Sequence, residues 1–232
     1  MSYRFDCTDP SGRSRGLSRA RTALEEGGLV VVPTESSYGL ACDAFSTQGL
    51  AALRDAKGNR RLAPPVVIGS VRTLDGLAAD VPSTARDLAH AFWPGPLTLV
   101  CHAQPTLEWR LSAAGAPISL RMPLHPVALE LLAGSGPLAL TSANTTGLEP
   151  PQTYEAAEAM IGDAAAVYLD AGRVEYGGPS TVVDVRGPVP RVLRRGELPV
   201  ERLREIVAGV LDIDEVPDAD EVPDADRPVA AP

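Results

Sequence analysis

The chain of 232 residues sets 21 Lys+Arg against 30 Asp+Glu, a formal net charge of −9, and is 44% hydrophobic, which supports a packed core and excludes global disorder. The acidity is uneven: residues 212–232 hold eight carboxylates (Asp212, Asp214, Glu215, Asp218, Asp220, Glu221, Asp224 and Asp226) and one base, Arg227, so this stretch carries −7 and residues 1–211 only −2. A folded part so close to neutral has no bulk positive field with which to grip nucleic acid.

Residues 14–26 place Leu17, Ala20 and Leu24 at helical spacing, and Gly27-Gly28 stop that helix before the buried-strand run LVVV at 29–32. A polar loop, TESSYG, follows Pro33 and leads to a helix over about 47–56 that ends at Lys57-Gly58. PPVVIG (64–69) predicts a strand, with helices near 71–79 and 83–92 and a strand at 96–101. After a hydrophilic excursion at 108–115 come strand 118–122, helix 125–134 and strand 137–142. A helix over 154–161 with Thr153 as N-cap precedes strands at 166–170, 180–185 and 191–195 and a last helix over about 200–211. Strands alternating with helices imply a partly parallel sheet, and the closely spaced strands after 166 suggest antiparallel additions, so one mixed α/β domain over 1–211 is expected. The 212–232 tail repeats EVPDAD at 215–220 and 221–226, buries no apolar surface, and is expected to be disordered.

Cys7, Cys42 and Cys101 stand far apart without a CxxC pair or a secretory leader, and His90, His102 and His125 do not cluster, so neither a disulfide framework nor a zinc site is expected. No apolar run reaches the length of a bilayer span, which predicts a cytoplasmic protein. GxxxxGK(S/T) is absent, and GSGPLA at 134–139 follows a helix and precedes a strand, the reverse of a dinucleotide-binding turn. No GxSxG elbow accompanies the histidines, which are expected at surfaces or helix ends, while Cys42 and Cys101 are expected to be buried hydrophobes.

What remains for chemistry is polar residues at strand ends: Thr34 to Tyr38, Ser142 and Asn144 in the TSAN turn, and Ser180-Thr181. Ligands bind at strand ends in open α/β sheets, and the alternative for each residue singly is ordinary turn chemistry. Of 21 basic residues only Lys57 is lysine, a pointer to an ammonium point charge there. Arg54, Arg60 and Arg61 lie near it, Arg121 interrupts the apolar strand ISLRM and needs either an anion or solvent, and Arg194 and Arg195 alternate, so that one of them at most points into a given site.

Seven segments in order resemble the YrdC/TsaC family of L-threonylcarbamoyl-AMP synthases over about 14–200: PTESSYGL (33–40), similar to the family's PT(D/E)TVYGL; AKGNRR (56–61), near its KxR element; FWPGPLTLV (92–100); LRMPLHPVALELL (120–132); TSANTTG (141–147), similar to its (P/S)SAN-x-(S/T)G; PSTVVDV (179–185); and VLRRGEL (192–198). The resemblance implies an open, twisted mixed parallel/antiparallel sheet with flanking helices and a concave positive cavity. It implies a nucleotidyltransferase that condenses L-threonine, bicarbonate and ATP, normally with Mg²⁺, to threonylcarbamoyl-AMP and pyrophosphate. The product would feed the tRNA threonylcarbamoyl transferase machinery, and weak tRNA binding is a further expectation.

By position, the resemblance assigns Thr34, Arg121 and Ser180 to threonine, Lys57 to the triphosphate with Arg60 or Arg61 beside it as catalytic charge, and Ser142, Asn144 and Arg194 to the nucleotide. No protein-held metal is implied. The chain departs from the family pattern where the KxR arginine falls on Asn59, where the NPL-x-x-H run becomes APPVVIG with Ala63 and Ile68 at its polar positions, and at Ser36-Ser37. These departures raise one alternative, a paralogue making another carbamoyl-adenylate; the resemblance itself implies a second, a non-catalytic RNA-binding module, against which the near-neutral charge of residues 1–211 argues.

Overall fold

The computed structural model describes residues 2–107, 111, 115–175 and 177–215. Strand β1 (Tyr3–Asp6) precedes helix α1 (Pro10–Glu25), which starts earlier than apolar spacing predicts because the Asp9 side chain accepts the Gly12 N–H and Pro10 occupies the first turn. β1 escapes a pattern search because three of its four residues are exposed. Strand β2 (Val30–Pro33) is followed by a second unforeseen strand, β3 (Tyr38–Asp43), so the loop expected between Pro33 and the next helix shrinks to residues 34–37. YGLACD shows no alternation because its first five residues are all buried.

The chain continues through α2 (Thr47–Ala56), β4 (Val66–Val67), α3 (Thr73–Leu77), β5 (Ala78–Ala79), α4 (Ser83–Phe92), β6 (Leu97–Ala103), β7 (Ile118–Arg121), α5 (Pro126–Ser135) and β8 (Leu138–Ser142). It ends with α6 (Tyr154–Ile161), capped by Thr153 as predicted, a 3₁₀ turn, β9 (Val167–Asp170), β10 (Thr181–Asp184), β11 (Arg191–Arg194) and α7 (Val200–Arg204). α7 stops short of the predicted 211 because Leu211 instead bridges to Arg191 beside β11. There Arg195 pairs with Asp212 and Asp214 and Arg204 with Glu215, so residues 212–215 are fastened to the domain; the rest of the predicted tail, 216–232, lies outside the described residues.

The sheet order is β1-β9-β2-β3-β8-β4-β7-β6-β10-β11, with β5 paired to β6. The mixed sheet is as expected, but the late strands are not simply antiparallel additions: β9 runs parallel to β1 and β2, β10 parallel to β6, and only β10–β11 is antiparallel. Residues 171–180 therefore carry the chain from one half of the sheet to the other. One face is covered by a core that includes Leu50 and Leu53 of α2, Leu88 of α4 and Ala157 of α6. The opposite face is covered by α1 and α5 through Leu17, Leu24, Val127 and Leu131, over β1, β9, β2 and β3. That second layer stops short of the β7, β6 and β10 end, and the uncovered sheet there becomes the wall of a cleft. None of the described helices is long and apolar enough to cross a membrane.

The histidines sit where expected, His125 as the N-cap of α5, where Nδ1 accepts the Val127 N–H at 3.2 Å. Burial, aided by Arg13 and opposed by Glu35, holds its pKa below the ordinary histidine range. The unfolded chain therefore takes up this proton at a higher pH than the fold does, and the stability present above the ordinary histidine range is lost as pH falls through it. Melting temperature is expected to drop on mild acidification by more in the wild type than in His125→Asn, which keeps a cap acceptor that does not titrate.

Candidate active site

Strand register builds the site. Cα pairing sets Val67, Arg121, Thr98, Val182 and Arg194 in one row across β4, β7, β6, β10 and β11, and paired residues project to the same face. All five line a cleft of about 400 Å³, together with Thr34, Ser36 and Ser37 from the β2–β3 loop, Ser142 at the end of β8, and Ser180 before β10. Val67 also belongs to the α1/α5 cluster, which puts the cleft on that face.

The Thr34 loop is a closed turn. Thr34 N–H and Oγ–H both donate to the Ser37 carbonyl, at 2.9 and 2.7 Å, and the hydroxyl oxygen accepts from the Ser37 amide at 3.3 Å. At the other rim the Ser180 and Thr98 hydroxyls lie 2.8 Å apart, while Arg194 donates through Nε and Nη2 to the Ser180 carbonyl at 3.2 and 2.8 Å and through Nη2 to its hydroxyl at 3.1 Å. Arg195 points the other way, to Asp212, as alternation requires.

Gly196 makes this rim possible. A Cβ there would stand 2.3 Å from the Pro179 carbonyl oxygen and 2.4 Å from the Ser180 carbonyl carbon, so no other residue lets the two segments cross. Gly196→Ala is expected to displace Ser180, lowering both the melting temperature and the affinity for whatever ligand fills this end of the cleft, a pair of changes that calorimetry and ligand-induced thermal shift can read separately.

Arg121, expected to find either an anion or solvent, finds Glu35: Nη2 lies 2.5 Å from Oε1, with side-chain exposures of 13% and 18%. The second Glu35 oxygen accepts the Leu124 N–H at 3.1 Å, and Arg121 Nε is buried without a partner.

Lys57 follows α2 as its C-cap. Its Nζ donates to the carbonyls of Ser142 (2.9 Å) and Asn144 (2.5 Å) and to Asn144 Oδ1 (2.7 Å), and Thr146 Oγ donates back to the Lys57 carbonyl at 2.9 Å. Asn144 Oδ1 also accepts the Ser142 hydroxyl at 2.5 Å. Lys57 and Asn144 thus stand behind Ser142, bracing the TSAN turn rather than lining the cleft, and burial pushes the ammonium pKa below the usual lysine range.

The structure gathers Thr34, Arg121, Ser180, Ser142 and Arg194 at one cleft and Lys57 and Asn144 immediately behind it. It does not bring in Arg60 or Arg61: both are exposed on the turn after α2, where the Arg61 N–H donates to Asn59 Oδ1 at 3.0 Å. Not all of the scattered cations converge, because the residues after Gly58 turn away from the sheet. Ala63 is exposed, and Ile68 is fully buried in the core of the opposite face. Reasoning from sequence took in Glu35 only as part of the polar run 34–38 and passed over Thr98 and Gly196, although these two lie inside the motif strings FWPGPLTLV and VLRRGEL. The three cysteines are buried, which pushes Cys7 up to about 11 and Cys42 and Cys101 up to about 12, so none is a ready thiolate. The described residues include no group of three or more His, Cys, Asp or Glu suited to a metal ion.

Residues 22–196 match the Sua5/YciO/YrdC family model, which carries the description telomere recombination. The chain belongs to the Sua5/YciO/YrdC family. A Mycobacterium tuberculosis relative bearing a provisional threonylcarbamoyl-AMP synthase name is 49% identical over 208 residues, 89% of this chain and 96% of that one. The threonylcarbamoyl-AMP synthase of Bacillus subtilis is 34% identical over 90% of this chain but 62% of its own length. Among solved structures, Pyrococcus abyssi Sua5 complexed with L-threonine superposes with a TM-score of 0.81 at 30% identity, covering 91% of this chain and 62% of Sua5. The family chain described here therefore spans about three fifths of Sua5, and its mixed sheet with flanking helices is the Sua5-type fold.

Proposed function

We propose that this protein is a threonylcarbamoyl-AMP synthase, an ATP-using nucleotidyltransferase. The observation that carries the reading is the cleft in which the cross-strand row sets the Arg121 guanidinium beside Thr98 and the flanking loops add the hydroxyls of Thr34 and Ser180, with the TSAN turn and Lys57 adjoining. The threonine amine and bicarbonate combine to a carbamate with loss of water, and a carbamate oxygen then attacks the α-phosphorus of ATP, giving threonylcarbamoyl-AMP and pyrophosphate. No enzyme nucleophile takes part, and the buried, protonated thiols fit that requirement. The protein's contribution is to orient reactants and to neutralise charge with fixed cations and hydroxyls.

Arg121 holds the threonine carboxylate, Thr34 and Ser180 its flanks, and Arg194 with the Ser142 rim the nucleotide side, while Lys57, bonded to the TSAN turn behind Ser142, is the cation assigned to the triphosphate. The cleft lining has no carboxylate among the described residues, and Glu35 is engaged by Arg121, so the donor set does not fit a protein-held Mg²⁺ and no step is assigned to one. Of the departures that motivate another carbamoyl-adenylate, Asn59, Ala63 and Ile68 do not line the cleft, whereas Ser36 and Ser37 do, and competition by other amino acids in the assay below separates the two readings. Delivery of the product to the tRNA threonylcarbamoyl transferase machinery and residence in the cytoplasm belong to the same proposal. The test is pyrophosphate release on incubation with ATP, bicarbonate and L-threonine: release that requires all three is expected, and a well-folded protein whose release ignores threonine would overturn the reading.

A further inference from the structure

We propose that Glu35 is the positioning residue of the amino-acid subsite, fixing the Arg121 guanidinium that meets the substrate carboxylate and tying it to the Thr34 turn; this rests on the functional reading above.

Glu35 belongs to the loop after β2, and Arg121 ends β7, with β3, β8 and β4 between those strands. In a flat sheet four strand spacings would part them by about 19 Å. Twist brings the two corners together, and the contact joins the two walls of the cleft, since Thr34, Ser36 and Ser37 line one and Arg121 the other.

The geometry suits a holder rather than a ligand contact. Glu35 does not line the cleft; one of its oxygens grips Arg121 Nη2 and the other is anchored on the Leu124 N–H, so the carboxylate is itself fixed at both oxygens. Its backbone is fixed as well, because the neighbouring Thr34 is locked into its turn by bonds to Ser37. The guanidinium needs such a holder. It is 13% exposed, its Nε has no partner, and Glu35 is its one side-chain acceptor among the described residues. Without the carboxylate an almost buried cation would be left to find another anion or swing to solvent, and the fork would no longer be set when substrate arrives. The charge-assisted bond holds the Nη2 end of the guanidinium in place, and burial of Nε limits how far the group can swing, so the fork stays near the position a substrate carboxylate must meet.

Glu35 acts through Arg121, so its removal should be felt by a ligand's carboxylate and not by the rest of the ligand. The experiment measures binding of L-threonine and of L-threonine amide, which lacks the carboxylate charge, to wild-type protein, Glu35→Gln and Glu35→Asp in the presence of ATP. Glu35→Gln is expected to lose about tenfold or more of the preference for threonine over its amide while its affinity for the amide stays near wild type, and Glu35→Asp to recover much of that preference. Equal weakening toward both ligands would make Glu35 merely structural, and tighter threonine binding in Glu35→Gln would make it a competitor for Arg121; either result overturns the proposal. A crystal structure of the wild type with threonine supplies a check that needs no variant to fold: Glu35 still bonded to Nη2 supports the assignment, and Glu35 turned away from it overturns it. Wild-type protein that binds neither ligand would instead count against the functional reading.

Discussion

Arg121→Ala is expected to cut kcat/KM for L-threonine by about two orders of magnitude or more, with the KM for ATP little changed and the thermal shift induced by threonine abolished. A bidentate guanidinium–carboxylate pair in a partly enclosed cleft contributes roughly 3 kcal/mol, which is on the order of a hundredfold in an equilibrium or rate constant. The substitution also strands Glu35, whose side chain is 18% exposed and would face Leu124 N–H alone. Some loss of melting temperature is therefore expected, smaller than for a fully buried pair because solvent reaches Glu35. Arg121→Lys separates the two effects. The ammonium can still neutralise Glu35 and should restore much of the stability, but it offers a point charge instead of a planar fork and should leave threonine binding weak. Steady-state kinetics with each substrate varied in turn, beside melting curves, reads both, and a near-normal threonine KM in Arg121→Ala would remove this residue from the amino-acid subsite.

How much of this site was legible depended on whether a residue's partner was near in sequence or far. Arg121 stood out because a charge inside an apolar strand is costly wherever that strand goes, and it indeed faces the cleft. Its counter-ion was invisible because Glu35 lies 86 positions away and in sequence is one more polar loop residue. The helices α2, α4, α5 and α6 could be read from local period and caps. β3 could not, because a strand buried along nearly its whole length has lost the alternation that marks a strand. The row that unites Val67, Arg121, Thr98, Val182 and Arg194 is a property of register between strands drawn from across the chain, and neither strand order nor register is encoded in local spacing. The same limit explains Arg60 and Arg61: proximity to Lys57 in sequence suggested one cationic group, but the turn after Gly58 carries them outward. Family resemblance supplied roles that local physics leaves open, and the three-dimensional arrangement then sorts those roles into residues on the cleft wall and residues behind it.

Lys57→Ala is expected to lower pyrophosphate release by two or more orders of magnitude, and Lys57→Arg is expected not to rescue it. An ammonium has three donors, and here all three go to acceptors on the TSAN turn: two carbonyls and the Asn144 side chain. Removing the side chain leaves those acceptors without their donor and loosens the segment that presents Ser142 to the cleft. A guanidinium spreads its donors in a plane and cannot converge them on three acceptors around one atom, so arginine fails on geometry although its charge is right. To reach a triphosphate oxygen, Lys57 must give up at least one of the three bonds, so ATP binding and release of the TSAN turn are coupled.

The charge itself has a pH signature. Burial holds the Lys57 pKa below the unfolded value, so the ammonium costs stability at neutral pH, and as pH rises through the folded pKa that cost is relieved while the charge needed for phosphate is lost. Wild-type activity is therefore expected to fall on the alkaline side earlier than an ordinary lysine would dictate, while the melting temperature of the wild type rises relative to Lys57→Met over the same interval. Activity and relative stability falling together would show that the alkaline loss comes from unfolding and not from Lys57, and a Lys57→Ala protein with near-normal pyrophosphate release would take the residue out of the reaction altogether.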